Sequence, residues 1–195
     1  MTYLLQTPKS VQTSGGGRMK SVLIAIRPKY VEKIASGEKT IEIRKTAPKE
    51  VPFKCYIYCT YGNMKENYAL GKRGKVIGEF VCEWITEINP HCDIDGCVNQ
   101  YIHSYPAILG DDCLSFNEMK AYLGNKKGYD WHISNLKIYD NPRELSEFSR
   151  PCSYSGLCFS CKRTSFKKDG NLLCNTKITR PPQSWMYVED LGEEE

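Results

Sequence analysis

Apolar and polar positions alternate in short blocks along this chain, and the period changes from block to block. Ser21 to Ile26, SVLIAI, is a short apolar run with β-branched content, the pattern of a buried strand. It stops at Pro28, a residue well suited to a first helical turn. From there Val31, Ile34 and Ala35 fall at i, i+3 and i+4, and Gly37 is placed to end the stripe in a left-handed cap. A short helix over Pro28 to Ser36 is therefore expected. Next, TIEIR alternates strictly, with Ile41 and Ile43 on a packing face and Thr40, Glu42 and Arg44 on a polar one.

Further strands are expected from FKCYIYCTY at Phe53, KVIGEFVCEWI at Lys75, WHISNLKIYD at Trp131 and SWMYVED near the end. Several are apolar on both faces at mid-strand, as in a doubly covered or closed sheet, and Gly78 inside one run signals a bend or bulge. Between Thr86 and Asn125 the pattern weakens, with one short helix expected around Ser115 to Tyr122. The picture is α+β: a small mixed β-barrel of about five to six strands with short helices. Residues 1–18 end in a Ser-Gly run without sustained period and read as a disordered leader, ahead of a domain over 19–190 and an acidic tail over 191–195.

At 41% hydrophobic and 26% charged, the composition is that of a soluble globular domain, with no run of apolar residues long enough to cross a membrane and no secretory h-region. A cytoplasmic protein is expected. The formal charge is +4, yet residues 189–195 hold five acids and no base; setting those aside leaves 18 acids against 27 bases. That surplus, gathered at Lys72, Arg73 and Lys75 and again at Lys162, Arg163, Lys167 and Lys168, suits either a polyanionic partner or an ordinary solvated surface.

Ten cysteines fall into types. Cys55, Cys59 and Cys82 sit inside apolar strands and read as core residues. Cys152, Cys158, Cys161 and Cys174 form C-x5-C-x2-C-x12-C in a lysine-rich stretch too poor in apolar residues to fold alone. Four thiolates around a structural zinc would supply the missing stability, making 150–176 a zinc-knuckle insertion. Cys92, Cys97 and Cys113, with His91 or His103, offer a looser second metal set, set against free thiols in a long connection.

A strand, a short helix ending in a GEKT turn, and a strand reading EIR make up RPKYVEKIASGEKTIEIRK. This element, followed by GKVIGEFVC, GYDWHISNLKIYDNPRELSEF and ITRPPQSWMYVED, resembles the ASCH family, whose barrel is related to the PUA RNA-binding fold. The likeness is especially to ASCH proteins of phages and bacteria, and it spans most of Met19 to Asp190. It implies a cleft beside the first helix, lined by the GEKTxExR element, that takes nucleic acid or a modified nucleoside. Some ASCH-type proteins hydrolyse N4-acetylcytidine, and some cleave RNA. In the amidohydrolase branch the motif is similar to K-T-x-T-x-R; Lys39 and Arg44 match, but Glu42 stands where the second threonine belongs. A carboxylate cannot be a hydroxyl nucleophile, although it can serve as a general base.

Lys39, Thr40 and Glu42 are thus the catalytic candidates, and Lys39, Thr40, Glu42 and Arg44 the expected nucleic-acid floor. A structural row of salt bridges is the competing reading of these charges. Rings among cations and hydrogen-bonding groups add Trp131 with His132, and Arg180 and Gln183 with Trp185, as candidate stacking and contact residues, each tryptophan being otherwise a packing residue. Glu79, inside VIGEFVC, is either a buried carboxyl or a solvent-facing one. Three functions remain open: RNA or single-stranded nucleic-acid binding, hydrolysis of RNA or a modified nucleoside, and protein docking through the knuckle.

Overall fold

The computed structural model describes residues 19–63, 71–92, 98–103, 113–152, 164–166, 172–174 and 176–192, the side chains of 98, 99, 103, 164–166 and 172–174 excepted. In chain order the elements are β1 (Lys20–Ile26), α1 (Pro28–Ala35), β2 (Ile41–Arg44), β3 (Phe53–Cys59), β4 (Lys75–Cys82), β5 (Ile85–Cys92) and β6 (Val98–His103). There follow α2 (Phe116–Leu123), β7 (Gly128–His132), β8 (Ser134–Glu144), β9 (Thr164–Phe166), β10 (Leu172–Cys174) and β11 (Trp185–Val188).

The strands form a five-stranded sheet, β11-β1-β3-β4-β8, a four-stranded sheet, β2-β7-β5-β6, and the short β9-β10 ladder. The α+β class holds, but no closed barrel forms among the described residues. Two long ribbons explain the difference. β4 and β5 are separated only by Glu83 and Trp84, and β7 and β8 only by Ile133. β4 pairs with β8 in the first sheet and β5 with β7 in the second, so the same pair of chain segments bends out of one sheet into the other. The sequence runs KVIGEFVCEWI and WHISNLKIYD each divide at that bend, and β5 and β6 lie in the stretch where the hydrophobic pattern is weak.

β1 and β3 run parallel at the centre of the first sheet, joined by the crossover that carries α1 and β2. Their two-sided apolar pattern follows from burial on both faces. One face packs Val22, Ile24, Phe53, Ile57 and Phe80 against Val31 and Ile34 of α1 and against Trp131; the other packs Leu23, Tyr56, Tyr58 and Val76 against Phe148, Ile178 and Val188. Ala35, expected in the helix stripe, is exposed. Cys55, Cys59 and Cys82 are core residues as expected, and burial pushes the Cys59 and Cys82 thiols up to about 11 and about 12, away from reactive thiolate character.

α2 is held by a reciprocal cap: Ser115 Oγ accepts from the Glu118 amide, while the Glu118 carboxylate accepts from the Ser115 amide. Its Met119 and Leu123 pack with Ile43 and Ile88 on the second sheet. No helix among the described residues is long and apolar enough to cross a membrane.

Gly78 sits at the expected irregularity, where the β4-β8 register shifts between Val76 and Gly78. A Cβ there would lie 2.4 Å from the Lys137 carbonyl oxygen. Because the obstacle is backbone, Gly78→Ala is expected to cost about 1–3 kcal/mol, read as a lower midpoint in urea denaturation.

Candidate functional site

A cleft of about 500 Å³ opens between α1, β2 and α2, closed at one side by Pro182 and Gln183 ahead of β11. Local chain geometry explains why charged residues floor it. α1 ends as the Ser36 and Gly37 amides donate to the Glu32 and Ile34 carbonyls, and Gly37 takes φ +77°. The turn lets the Lys39 amide donate to Lys33 O, which folds Lys39 back into the molecule. β2 then pairs with β7, placing Ile41 opposite His132 and Glu42 opposite Trp131. Every β2 residue is buried, so Glu42 and Arg44 are directed into the protein while Thr40, just ahead of the strand, stays exposed.

Lys39, Glu42 and Arg44 are only 2%, 7% and 7% exposed. Lys39 Nζ donates to Ile41 O at 2.6 Å and lies 3.4 Å from Glu42 Oε2. Glu42 Oε1 is 2.9 Å from an Arg44 terminal nitrogen, which also donates to Ala25 O at 2.8 Å. A buried salt-bridge row therefore exists, and all three residues also line the cleft. One terminal nitrogen of Arg44 serves both Glu42 and Ala25, while its Nε is buried without a hydrogen-bond partner among the described residues.

The other expected site residues separate. Gln183 lines the cleft and Thr60 contributes a hydroxyl-bearing side chain, whereas Thr40 is exposed and stands outside the lining. Trp131 is fully buried, edge-on to Phe53 and Trp185, and has no face left for a base. Trp185 is half-buried, donates its indole N–H to Thr46 and is edge-on to Trp131 and Tyr187; it does not line the cleft. His132 stacks at a tilt with the exposed Trp84, and its Nε2 lies 3.2 Å from Thr86 Oγ1. Its opposite partner is Ile41, which puts it on the other face of the sheet from Glu42. Arg180 is exposed and outside the cleft lining.

Sequence reasoning missed Tyr30, Tyr122, Lys29 and Glu118. Lys29 Nζ and the Tyr30 hydroxyl both donate to Glu118 Oε1, at 2.7 and 3.2 Å, tying α1 to α2 across the cleft. Lys39 Nζ lies 5.5 Å from the Tyr30 ring centroid and Lys45 Nζ 5.0 Å from that of Tyr122, so each ring carries a cation. The usable signal was the capping pattern Ser115-x-x-Glu118, which orders the glutamate; its partner on α1 is 89 residues away and has no local signature.

Elsewhere, Glu79 is half-buried, accepting from the Tyr139 hydroxyl at 2.6 Å near Lys54, which also pairs with Asp190. Of the expected zinc ligands, Cys158 and Cys161 lie outside the described residues; Cys152 is exposed, and Cys174 belongs to β10, paired opposite Thr164. In the looser set Cys97 is likewise outside. Cys113 donates its thiol to Glu38 O, and no group of three metal-binding side chains occurs among the described residues.

Two predictions follow from the charge geometry. Glu42→Gln removes the carboxylate that compensates two buried cations, so the variant is expected to lose about 3–5 kcal/mol in equilibrium unfolding. The Lys29 ammonium and the Ser115 cap hold the Glu118 carboxyl down at about 2. A depressed carboxylate stabilises the fold above its unfolded value and loses that contribution as pH falls toward 2. Since the Glu118 side chain is 41% exposed, solvent screening limits this to about 1 kcal/mol or less. Wild type should exceed Glu118→Gln in thermal midpoint at pH 6, and the gap should close by pH 2.

No protein-family model matches the chain, and no curated protein matches its sequence. Among solved structures it is similar to ASCH from Zymomonas mobilis, with 18% identity and a TM-score of 0.51, covering 87% of this chain and 88% of that one. A serine-to-alanine variant of ASCH from the same organism matches with the same identity and TM-score, covering 87% and 89%. The similarity runs along nearly the whole of both chains, and the fold is that of the ASCH domain.

Proposed function

We propose that this chain binds RNA or another single-stranded nucleic acid by drawing one nucleotide into the cleft floored by Lys39, Glu42 and Arg44. Arg44 carries the reading. It is more than nine-tenths buried, lines the cleft, and keeps a guanidinium N–H without an acceptor among the described residues. At the wall of a cleft, a guanidinium fork suits bidentate contact with the oxygens of a phosphate.

Charge and shape support an anionic ligand of nucleotide size. The lining contains Arg27, Lys29, Lys39 and Arg44 against only Glu42 and Glu118. Tyr30 and Tyr122 supply π-faces among those cations. A cleft of about 500 Å³ has the volume of a small-ligand site and encloses a single unit of a strand, not a duplex. The kinship of the ASCH fold with PUA-type RNA-binding folds agrees with this. The contact between Lys39 and Glu42 favours a second reading, in which the two act as a proton-transfer pair in hydrolysis of RNA or of a modified nucleoside.

Fluorescence anisotropy with an end-labelled octaribonucleotide of random sequence tests the binding reading. Affinity is expected to fall steeply as salt rises. Arg44→Lys, which keeps the charge and removes the guanidinium fork, should weaken binding about tenfold or more. Unchanged affinity in a folded Arg44→Lys variant would refute the assignment. The same RNA on a denaturing gel separates the second reading: fragments made by wild type and absent with Lys39→Ala would make the protein a ribonuclease.

A further inference from the structure

Beyond the single-nucleotide cleft, and resting on its nucleic-acid reading, we infer that the bound strand leaves the cleft across Thr60 and stacks a second base on the ring of Tyr61. Tyr61 is 62% exposed, more than any other large apolar side chain among the described residues. It directly follows Thr60, which lines the cleft and whose amide donates to Ile26 O at the end of β1. An exposed ring one residue beyond the wall of an anion-accepting cleft is positioned to receive the next base.

The local backbone holds that ring in place. Arg73 donates from one terminal nitrogen to both Tyr61 O and Asn63 O, each at 3.0 Å, so its guanidinium clamps the loop and brings positive charge to it. Gly74 has φ +76°, and a Cβ there would come within 2.6 Å of the Tyr61 hydroxyl; the glycine makes the space that the phenol occupies. On the other side Gly62, at φ +59°, lies so close to Pro28 that a Cβ would meet the proline ring at 2.7 Å. The segment is thereby seated against the first turn of α1. Two glycines and an arginine fix an aromatic side chain that still faces solvent, and Lys72 adjoins Arg73 in the chain. A placed ring beside cations stacks a base with little ordering cost and screens the adjoining phosphate, which is how sequence-tolerant strand binding is built.

Trp84, Phe116 and Tyr187 are the other exposed rings among the described residues; Phe116 packs against Tyr101 beneath Lys120, Tyr187 is edge-on to Trp185, and Trp84 is the most apart from the cations. It is stacked on His132 and preceded by Glu83, and the sequence around it brings no cation. Among these exposed rings of the described residues, Tyr61 is the one that directly follows a residue lining the cleft.

The test is displacement of the labelled octaribonucleotide by unlabelled random-sequence competitors of one, two, four and eight nucleotides. In wild type, affinity should rise between one nucleotide and two to four. Tyr61→Ala should weaken the longer competitors about fivefold to 100-fold while leaving the mononucleotide unchanged, and Tyr61→Phe should behave as wild type. If wild type binds and Tyr61→Ala is indistinguishable from it at every length, or weakens the mononucleotide equally, the stacking inference is overturned and the cleft reading stands. If wild type binds no competitor, both fall together.

Discussion

The architecture turns on a single carboxylate. Glu42 is held between Lys39 and Arg44 where almost no solvent reaches, and charges in such a place persist only when paired and hydrogen-bonded. Ile41 O and Ala25 O complete part of that requirement, and both are main-chain groups at the junction of β2 with β1. The row therefore joins the second sheet to the first. Yet its arithmetic is unbalanced, because one negative charge faces two positive ones and one guanidinium N–H has no acceptor among the described residues. A structural salt bridge and a binding site are usually weighed as alternatives; here the same three residues form the first and also line the cleft, with positive charge in excess.

The bent ribbons determine where that excess is displayed. Because β4 runs on into β5 and β7 into β8, the two sheets share their chain at the bends and diverge away from them. β2 is the edge strand of the second sheet, and α1 arrives beside it from the parallel crossover between β1 and β3. α2 then closes the remaining side, secured by its own cap and by the Lys29-Glu118 bridge. The cleft is the gap these constraints leave, and its floor is a strand in which all residues, polar ones included, are buried in a row.

Much of this was legible in the chain. Strong local patterns mark β1, α1, β3, β4 and α2 because their periods are set by packing against a nearby core. Glycine and proline place the ends of α1 and the irregularity at Gly78 because those positions demand particular backbone geometry or close approach. β5 and β6 were invisible: β5 reads ITEINPHC, with Pro90 and few apolar residues, and is held by pairing with β7 and β6 that the segment itself does not announce. The closed barrel failed for the same reason, since bends at Glu83-Trp84 and Ile133 are a tertiary choice within continuous apolar runs. In the site, Lys39, Glu42 and Arg44 were readable because they share one strand and one turn, whereas Lys29, Glu118 and Tyr122 meet them only through the docking of α2.

The aromatic residues show how chemistry and position separate. Tryptophans beside histidine or arginine look like stacking platforms, but their large apolar area is also what a two-sheet core needs most. Trp131 is consumed by that demand, filling the space between Phe53 and Trp185. Tyrosine, with its hydroxyl, is cheaper to leave in contact with water, and it is tyrosines that border the cleft: Tyr30 tied by its hydroxyl to Glu118 and Tyr122 beneath Lys45, with Tyr61 just beyond Thr60 over Gly74. Composition near cations therefore misdirects toward the largest ring. Burial demand, which rises with ring size, draws Trp131 into the core and leaves the cleft wall to the amphipathic rings.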